Sequence, residues 1–345
     1  MPTTLDLASL PALANGFALL GSGGGGATTM LELTLQGSSD WPMTVHDVGE
    51  LDPSLPCLGA AFVGSTMLLG ERLPGSAPFA PLIAAAERWL GNHVPVVCSI
   101  EGGGLNGLVP LTLSDERMIV DADLTGRAVP ALDQMSLLVD RVPGIVVTCD
   151  SGAGGVTLMQ TDRALDIERV VRASTIQAGG VGGMVFAGFT VGDLLEHSIV
   201  GTTARALDLG NAYLAARSGP LTGLAAALGG RLLAEGRITA IDPDTLDQHV
   251  TAFGITGSDG EVHRLVARSE NLAFMTDGRL DAAAPDLIVV LDAISRDILE
   301  TTDLSRARHV AVIQLDGPSW WSRSAERKRH VVPSAYGLDG LDGAE

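Results

Sequence analysis

The spacing of apolar residues changes character once along this chain, and that change limits the fold more than any motif does. Between residues 43 and 150, short apolar runs alternate with segments of helical period: "MTVHDV" (43–48), "GAAFVGS" (59–65), "VPVVCSI" (94–100), "RMIVDAD" (117–123) and "GIVVTCD" (144–150). Residues 6–20 carry Leu10, Leu13, Phe17 and Leu20 at spacings of three and four, and Gly21 ends that helix. Residues 28–36 predict a second short helix with Thr28 near its N-cap, and "APFAPLIAAAERWLG" (77–91) a third stopped by Gly91. Apolar runs separated by helices read as buried parallel strands. The prediction is an α/β N-terminal domain with a mostly parallel sheet. Residues 165–218 read as largely helical, interrupted by "QAGGVGGMVFAGF". From 219 onward, runs such as "GRITAID", "TAFGITG", "DLIVVLD" and "HVAVIQLD" are separated only by glycine, aspartate and proline turns, which predicts a smaller β-rich C-terminal domain. The division is placed at 1–168 for a glycine-loop catalytic domain and 169–345 for a helical connector with the β-rich domain.

Composition supports two packed domains. The chain has 345 residues, 46% of them hydrophobic, 43 glycines, and only 18% charged residues. A net charge of −19 opposes binding to a nucleic-acid backbone, and the one basic cluster, "RSAERKRH" (323–330), reads as a solvated turn. Cys57, Cys98 and Cys149 form no CxxC pair, which fits a reducing compartment. The N-terminus lacks a basic region and carries Asp6, and no apolar stretch reaches a membrane-spanning length. The expectation is a cytoplasmic protein with a small-molecule substrate and neither a nucleic-acid nor a membrane partner. The apolar, glycine-rich segments suit a homo-oligomer.

Three loops carry residues that core packing does not ask for. "GSGGGG" (21–26) contains Gly21-x-Gly23-x-x-Gly26, with Asp47 at a distance that suits a dinucleotide site. A helix, not a strand, precedes it, so no nucleotide is expected. Two readings stay open. Gly24, Gly25 and Gly26 either let backbones cross closely, or offer N–H groups, with the start of the 28–36 helix, to a carboxylate or oxyanion. "EGGGLNG" (101–107) follows a strand directly, making Glu101 a candidate base or metal ligand and Asn106 a candidate carbonyl holder, unless the glutamate only faces solvent. In "VDADLTGRAVP" (120–130), Asp121 and Asp123 lie two apart on a predicted strand and so on one face. Like carboxylates held together share a proton or a cation, which suits acid/base work or a divalent metal. Arg127 either pairs with them or binds a substrate carboxylate. Of the seven scattered histidines, His197 is the one carried forward as a site candidate, against the plainer reading of a satisfied helix residue.

These segments, with "VGSTMLLGERLPG" (63–75), "PDLIVVLD" (285–292) and "VPSAYGLD" (332–339), resemble the S-methyl thiohydantoin desulfurase family over nearly the whole chain. The resemblance implies the same two-domain arrangement and hydrolysis at the ring carbon of an S-methyl thiohydantoin, giving a hydantoin and methanethiol. Glu101, Asp121 and Asp123 are then candidate catalytic groups. Gly24, Gly25, Gly26, Glu71, Asn106, Arg127 and His197 are candidate substrate contacts. Ala27, Ala131 and His197 stand where relatives often carry aspartate, glutamate and lysine, which marks the chain as a divergent member. Alternatives are a hydrolase of related cyclic amides or a non-catalytic partner subunit of a hydantoinase.

Overall fold

The structure is a computed structural model that describes residues 2–65, 68–69, 75, 77–247, 249–258 and 260–343. Its first sheet has eight strands in the order Thr3–Leu5, Met43–His46, Met118–Val120, Val96–Ser99, Pro56–Gly64, Val181–Thr190, Val146–Gly152 and Gly155–Gln160. The block from Met43–His46 to Pro56–Gly64 is parallel, as the apolar runs predict. Antiparallel strands extend it on both sides, so the sheet is mixed. Helix Ala80–Leu90 makes the crossover between Pro56–Gly64 and Val96–Ser99, and Gly91 closes it in the left-handed conformation at φ 77°.

The stretch "QAGGVGGMVFAGF" supplies the strand Val181–Thr190, which pairs antiparallel with Pro56–Gly64 on one side and Val146–Gly152 on the other. The first sheet therefore continues past residue 168, the division drawn from the sequence. A glycine-rich apolar run has little periodicity of its own, and only its neighbours in the sheet declare it a strand.

Eight further strands form an antiparallel sheet in the order Arg279–Ala283, Glu270–Thr276, Val262–Arg268, Val250–Gly257, Arg231–Pro243, His309–Leu315, Leu287–Asp292 and Ile298–Leu299. Leu287–Asp292 and His309–Leu315 are buried along almost their whole length. They are the covered strands of this sheet, because helix Leu10–Leu20 packs on Leu287–Asp292 and helix Leu221–Ala227 on His309–Leu315. Helix Leu10–Leu20 lies against helix Thr202–Ala216. Its Leu13 and Phe17 join one apolar cluster with Val97 and Leu105 of the first domain and with Leu287, Val289 and Ile313 of the second. The two sheets thus share a core, which fixes the loops between them. Among the described residues, no helix is long and apolar enough to cross a membrane.

Candidate active site

The glycine run sits where the two sheets meet. Helix Leu10–Leu20 delivers the chain into it, and Ser22 stitches it to the C-terminal sheet. The Ser22 carbonyl accepts from Asn271 N–H at 2.8 Å, and Ser22 Oγ accepts from Ile288 N–H at 2.9 Å. Gly25 lies on the second glycine loop, where Leu105 N–H donates to its carbonyl at 3.1 Å. A Cβ on Gly25 would stand 2.6 Å from the Gly103 oxygen, and one on Gly104 would stand 2.3 Å from the Gly25 carbonyl carbon. Both residues have positive φ, 80° and 60°, so side chains are excluded by space and by conformation. The glycines are filled against by protein: Asn271 abuts Gly23 and Glu270 abuts Gly24. The N–H groups of Gly25 and Gly26 donate to no acceptor among the described residues.

Glu101 stands just beyond strand Val96–Ser99, at the carboxyl end of the parallel block. Its side chain is 9% exposed. Oε1 accepts from Val129 N–H at 3.1 Å and Oε2 from Asn106 Nδ2 at 2.8 Å. Two donors leave lone pairs on both oxygens unused. Burial pushes the carboxyl up to about 7, against the downward pull of those two hydrogen bonds. The group therefore exists in both protonation states near neutrality, which is what a general base or acid requires. The reading of a solvent-facing glutamate is corrected by this burial.

Asn106 has a different task from the one its sequence context suggests. Its Oδ1 accepts from Phe62 N–H at 2.8 Å, and its Nδ2 donates to Phe62 O at 3.1 Å as well as to Glu101. Both amide hydrogens are spent, so Asn106 anchors Glu101 to strand Pro56–Gly64 and has no donor left for a ring carbonyl.

Asp121 and Asp123 do not form a shared pair on one strand face. The strand breaks at Asp121, between Met118–Val120 and Ala122–Asp123. Asp121 caps helix Thr202–Ala216 by accepting from Thr203 N–H at 2.6 Å and Ala204 N–H at 3.1 Å. Asp123 is fully buried and accepts from Gly102 N–H at 3.0 Å, Thr125 N–H at 2.7 Å, Thr125 Oγ1 at 3.2 Å, Gly126 N–H and Thr202 Oγ1. Burial raises both carboxyls and these donors oppose it. The acceptor capacity of Asp123 is taken by protein, whereas Asp121 spends one lone pair of each oxygen on the helix end. Among the described residues, no group of three or more His, Cys, Asp or Glu side chains could hold a metal ion.

Arg127 is also corrected. Only 2% exposed, it donates to Ala128 O at 3.1 Å, Pro285 O at 3.1 Å, Asp286 O at 3.0 Å and Asn271 O at 3.3 Å. It binds the C-terminal domain through backbone carbonyls, and a substrate carboxylate would have to displace them. His197 ends helix Val191–His197 with Nδ1 2.9 Å from Asp140 Oδ2, and Arg327 bonds the same carboxylate. It belongs to that ion-pair cluster and is not brought to Glu101. Glu71 lies outside the described residues.

The sequence reading missed the residues that the C-terminal domain contributes. Glu270 heads strand Glu270–Thr276, is 4% exposed, and its Oε2 has no hydrogen-bond partner among the described residues. Burial first, then the like charge of Glu101, raises its carboxyl to about 8. Asn271 Oδ1 is likewise buried without a partner. Tyr336, in the "VPSAYGLD" stretch, is pushed up by burial while Arg127 and Gln134 pull it down. Two open grooves lie elsewhere. One follows the first sheet's edge beside Met43, His46 and Arg117; the other lies on the C-terminal sheet beside Arg264, Met275 and Leu338. Neither groove includes Glu101 or Glu270.

Comparison with known proteins covers the chain from end to end. The family model described as "S-Me-THD-like, N-terminal domain" matches residues 8–161, and "S-Me-THD-like, C-terminal domain" matches residues 161–342. A crystal structure of a protein from Chromobacterium violaceum shares the fold, with a TM-score of 0.83, 22% identity, and 99% of each chain covered. The search of curated proteins gave no match.

Proposed function

The chain belongs to the S-Me-THD-like family, and from that premise we propose that it hydrolyses an S-methyl thiohydantoin at the ring carbon bearing sulfur. The products are a hydantoin and methanethiol. The observation that supports this most is Glu101, a buried carboxyl poised near 7 with unused lone pairs, at the crossing of two glycine loops. The substrate carbon is amidine-like, bonded to two ring nitrogens and a methylated sulfur. Water adds to it only when a base removes a proton, and ionised Glu101 is that base. The oxygen joins the ring carbon, the proton passes to ring nitrogen, and the carbon–sulfur bond breaks. The N–H groups of Gly25 and Gly26, without an acceptor among the described residues, would hydrogen-bond a ring oxygen and steady the charge that builds during attack. Asn106 holds Glu101 in place, and Asp121 and Asp123 hold the loops that carry it.

The test is direct. Purified protein is given an S-methyl thiohydantoin in water enriched in heavy oxygen, with a thiol-trapping dye present. The proposal expects thiol release and one heavy oxygen in the new hydantoin carbonyl. Absence of thiol release with every S-methylated ring would overturn it. Ring opening of plain hydantoins instead would move the assignment to cyclic-amide hydrolysis.

A further inference from the structure

Hydrolysis of a thioether-bearing carbon needs two proton movements. One proton leaves the water, and one must reach the sulfur, because methanethiolate is a poor leaving group. Glu101 accounts for the first. The second calls for a carboxyl that is still protonated when Glu101 is not, and Glu270 meets this on geometry. It enters from the opposite domain, and Ser269 before it holds φ 66°, which turns the chain out of the preceding strand. Its carboxyl lies on the glycine run: a Cβ at Gly24 would stand 2.5 Å from Glu270 Cγ and 2.8 Å from its Oε1. Its Oε2 is buried and bare among the described residues.

The groups that act on it are Glu101, a like charge, and the cations Arg127 and Arg268. Neither cation bonds the carboxyl. Arg127 spends its donors on the carbonyls of Ala128, Asn271, Pro285 and Asp286, and Arg268 pairs with Asp247 at 2.9 Å. An ionised carboxylate with a bare buried oxygen is unfavourable in this setting, whereas a neutral carboxylic acid is tolerated.

We propose that Glu270 is the proton donor of this reaction, acting on the departing sulfur from the C-terminal side while Glu101 activates water from the N-terminal side. The inference rests on the function proposed above. Water loses one proton to Glu101, and its oxygen bonds the ring carbon. Glu101 passes that proton to ring nitrogen. The carbon–sulfur electron pair leaves with sulfur, which takes the Glu270 proton and departs as methanethiol. The second water proton restores Glu270 as the carbonyl forms. No oxidant or reductant is involved.

The experiment compares substrates whose leaving thiols differ in acidity but hardly in size, an S-ethyl and an S-trifluoroethyl thiohydantoin. Glu270→Gln should slow release of ethanethiol about 10²-fold, the scale of a lost general acid. It should leave release of the acidic trifluoroethanethiol near the wild-type rate, because that thiolate departs without a proton. Glu101→Gln should slow both. Glutamine is isosteric with the neutral acid, so unchanged circular dichroism is expected, and an unchanged melting temperature at a pH well below 8, where Glu270 is protonated. Independently, the infrared spectrum at neutral pH should contain protonated-carboxyl absorption that Glu270→Gln diminishes. Equal slowing of both substrates, no slowing of either, or a neutral-pH spectrum that the substitution does not change would overturn the role of Glu270. A wild-type protein that releases thiol from neither substrate would sink the hydrolase reading instead.

Discussion

Two pairs of buried acids face the loops between the sheets, and they are opposites. Asp123 collects five hydrogen bonds, and Asp121 spends one on each oxygen at the N-terminus of helix Thr202–Ala216. Glu101 collects two, and Glu270 leaves one oxygen with none among the described residues. All four are shielded from water, so burial does not separate them; Asp123 stands apart by its count of donors, and Asp121, with as many as Glu101, by the helix end it caps. A carboxyl that spends its lone pairs on the N–H and O–H groups of the fold is fixed in place, and it acts as a knot in the fold. A carboxyl short of donors keeps its proton until high pH and can exchange it. In this chain the knot is made by the two aspartates that sequence spacing marks as catalytic, and the exchangeable pair by a glutamate from each domain.

The contrast can be broken at either pair. The largest expected effect is on stability against pH. Glu101 and Glu270 hold pKa values of about 7 and about 8 when folded, above the ordinary 4.5. The folded state therefore binds more protons than the unfolded state between those limits. The stability they contribute is full below pH 4.5 and is lost as pH rises through 7 and 8, on the order of several kcal/mol in all. Thermal melts from pH 5 to 9 should show a falling melting temperature, flattened in the Glu101→Gln, Glu270→Gln double variant. A flat wild-type profile would place both carboxyls among ordinary ones.

The knot responds differently. Asp123→Asn places an NH₂ among donors and should cost about 3 kcal/mol in urea unfolding, the scale for breaking a buried charged network. Asp121→Asn loses a helix-terminal charge but keeps an acceptor, and should cost about 1 kcal/mol. The smallest effect belongs to His197→Gln. His197 is tied to Asp140 and Arg327, away from Glu101, so kcat/KM should stay within about threefold of wild type, the change of a surface ion-pair site. A loss near that of Glu101→Gln would return His197 to the site.

Much of this frame is legible in the sequence. The helices Leu10–Leu20 and Ala80–Leu90, the parallel block and the antiparallel C-terminal sheet follow from apolar period and stop signals. The three loops that the sequence sets apart lie against one another, with Gly25, Gly103 and Gly104 placed where backbones approach too closely for a side chain. The roles inside those loops are less legible. The two-residue rule for Asp121 and Asp123 assumes an unbroken strand, and the strand breaks at Asp121. Asn106 and Arg127 look free in sequence because their partners, Phe62 and the carbonyls of Asn271, Pro285 and Asp286, are distant along the chain. Glu270 is hidden for the same reason. In "VARSENLAFMTD" it reads as a turn residue, and its one signal is an acid at the head of an otherwise apolar strand, "NLAF". The carboxyl partner that gives it meaning is supplied by the other sheet.

The central claim is that Glu101 and Glu270, and not the aspartates that hold the loops, carry the chemistry. Its most direct test is kcat/KM for methanethiol release by wild type, Glu101→Gln and Asp123→Asn, each corrected for folded fraction. The account predicts a loss of about 10³-fold for Glu101→Gln, within the usual range for a lost general base, and little change for the folded fraction of Asp123→Asn. A folded Glu101→Gln protein that keeps its activity while Asp123→Asn loses it would contradict the account.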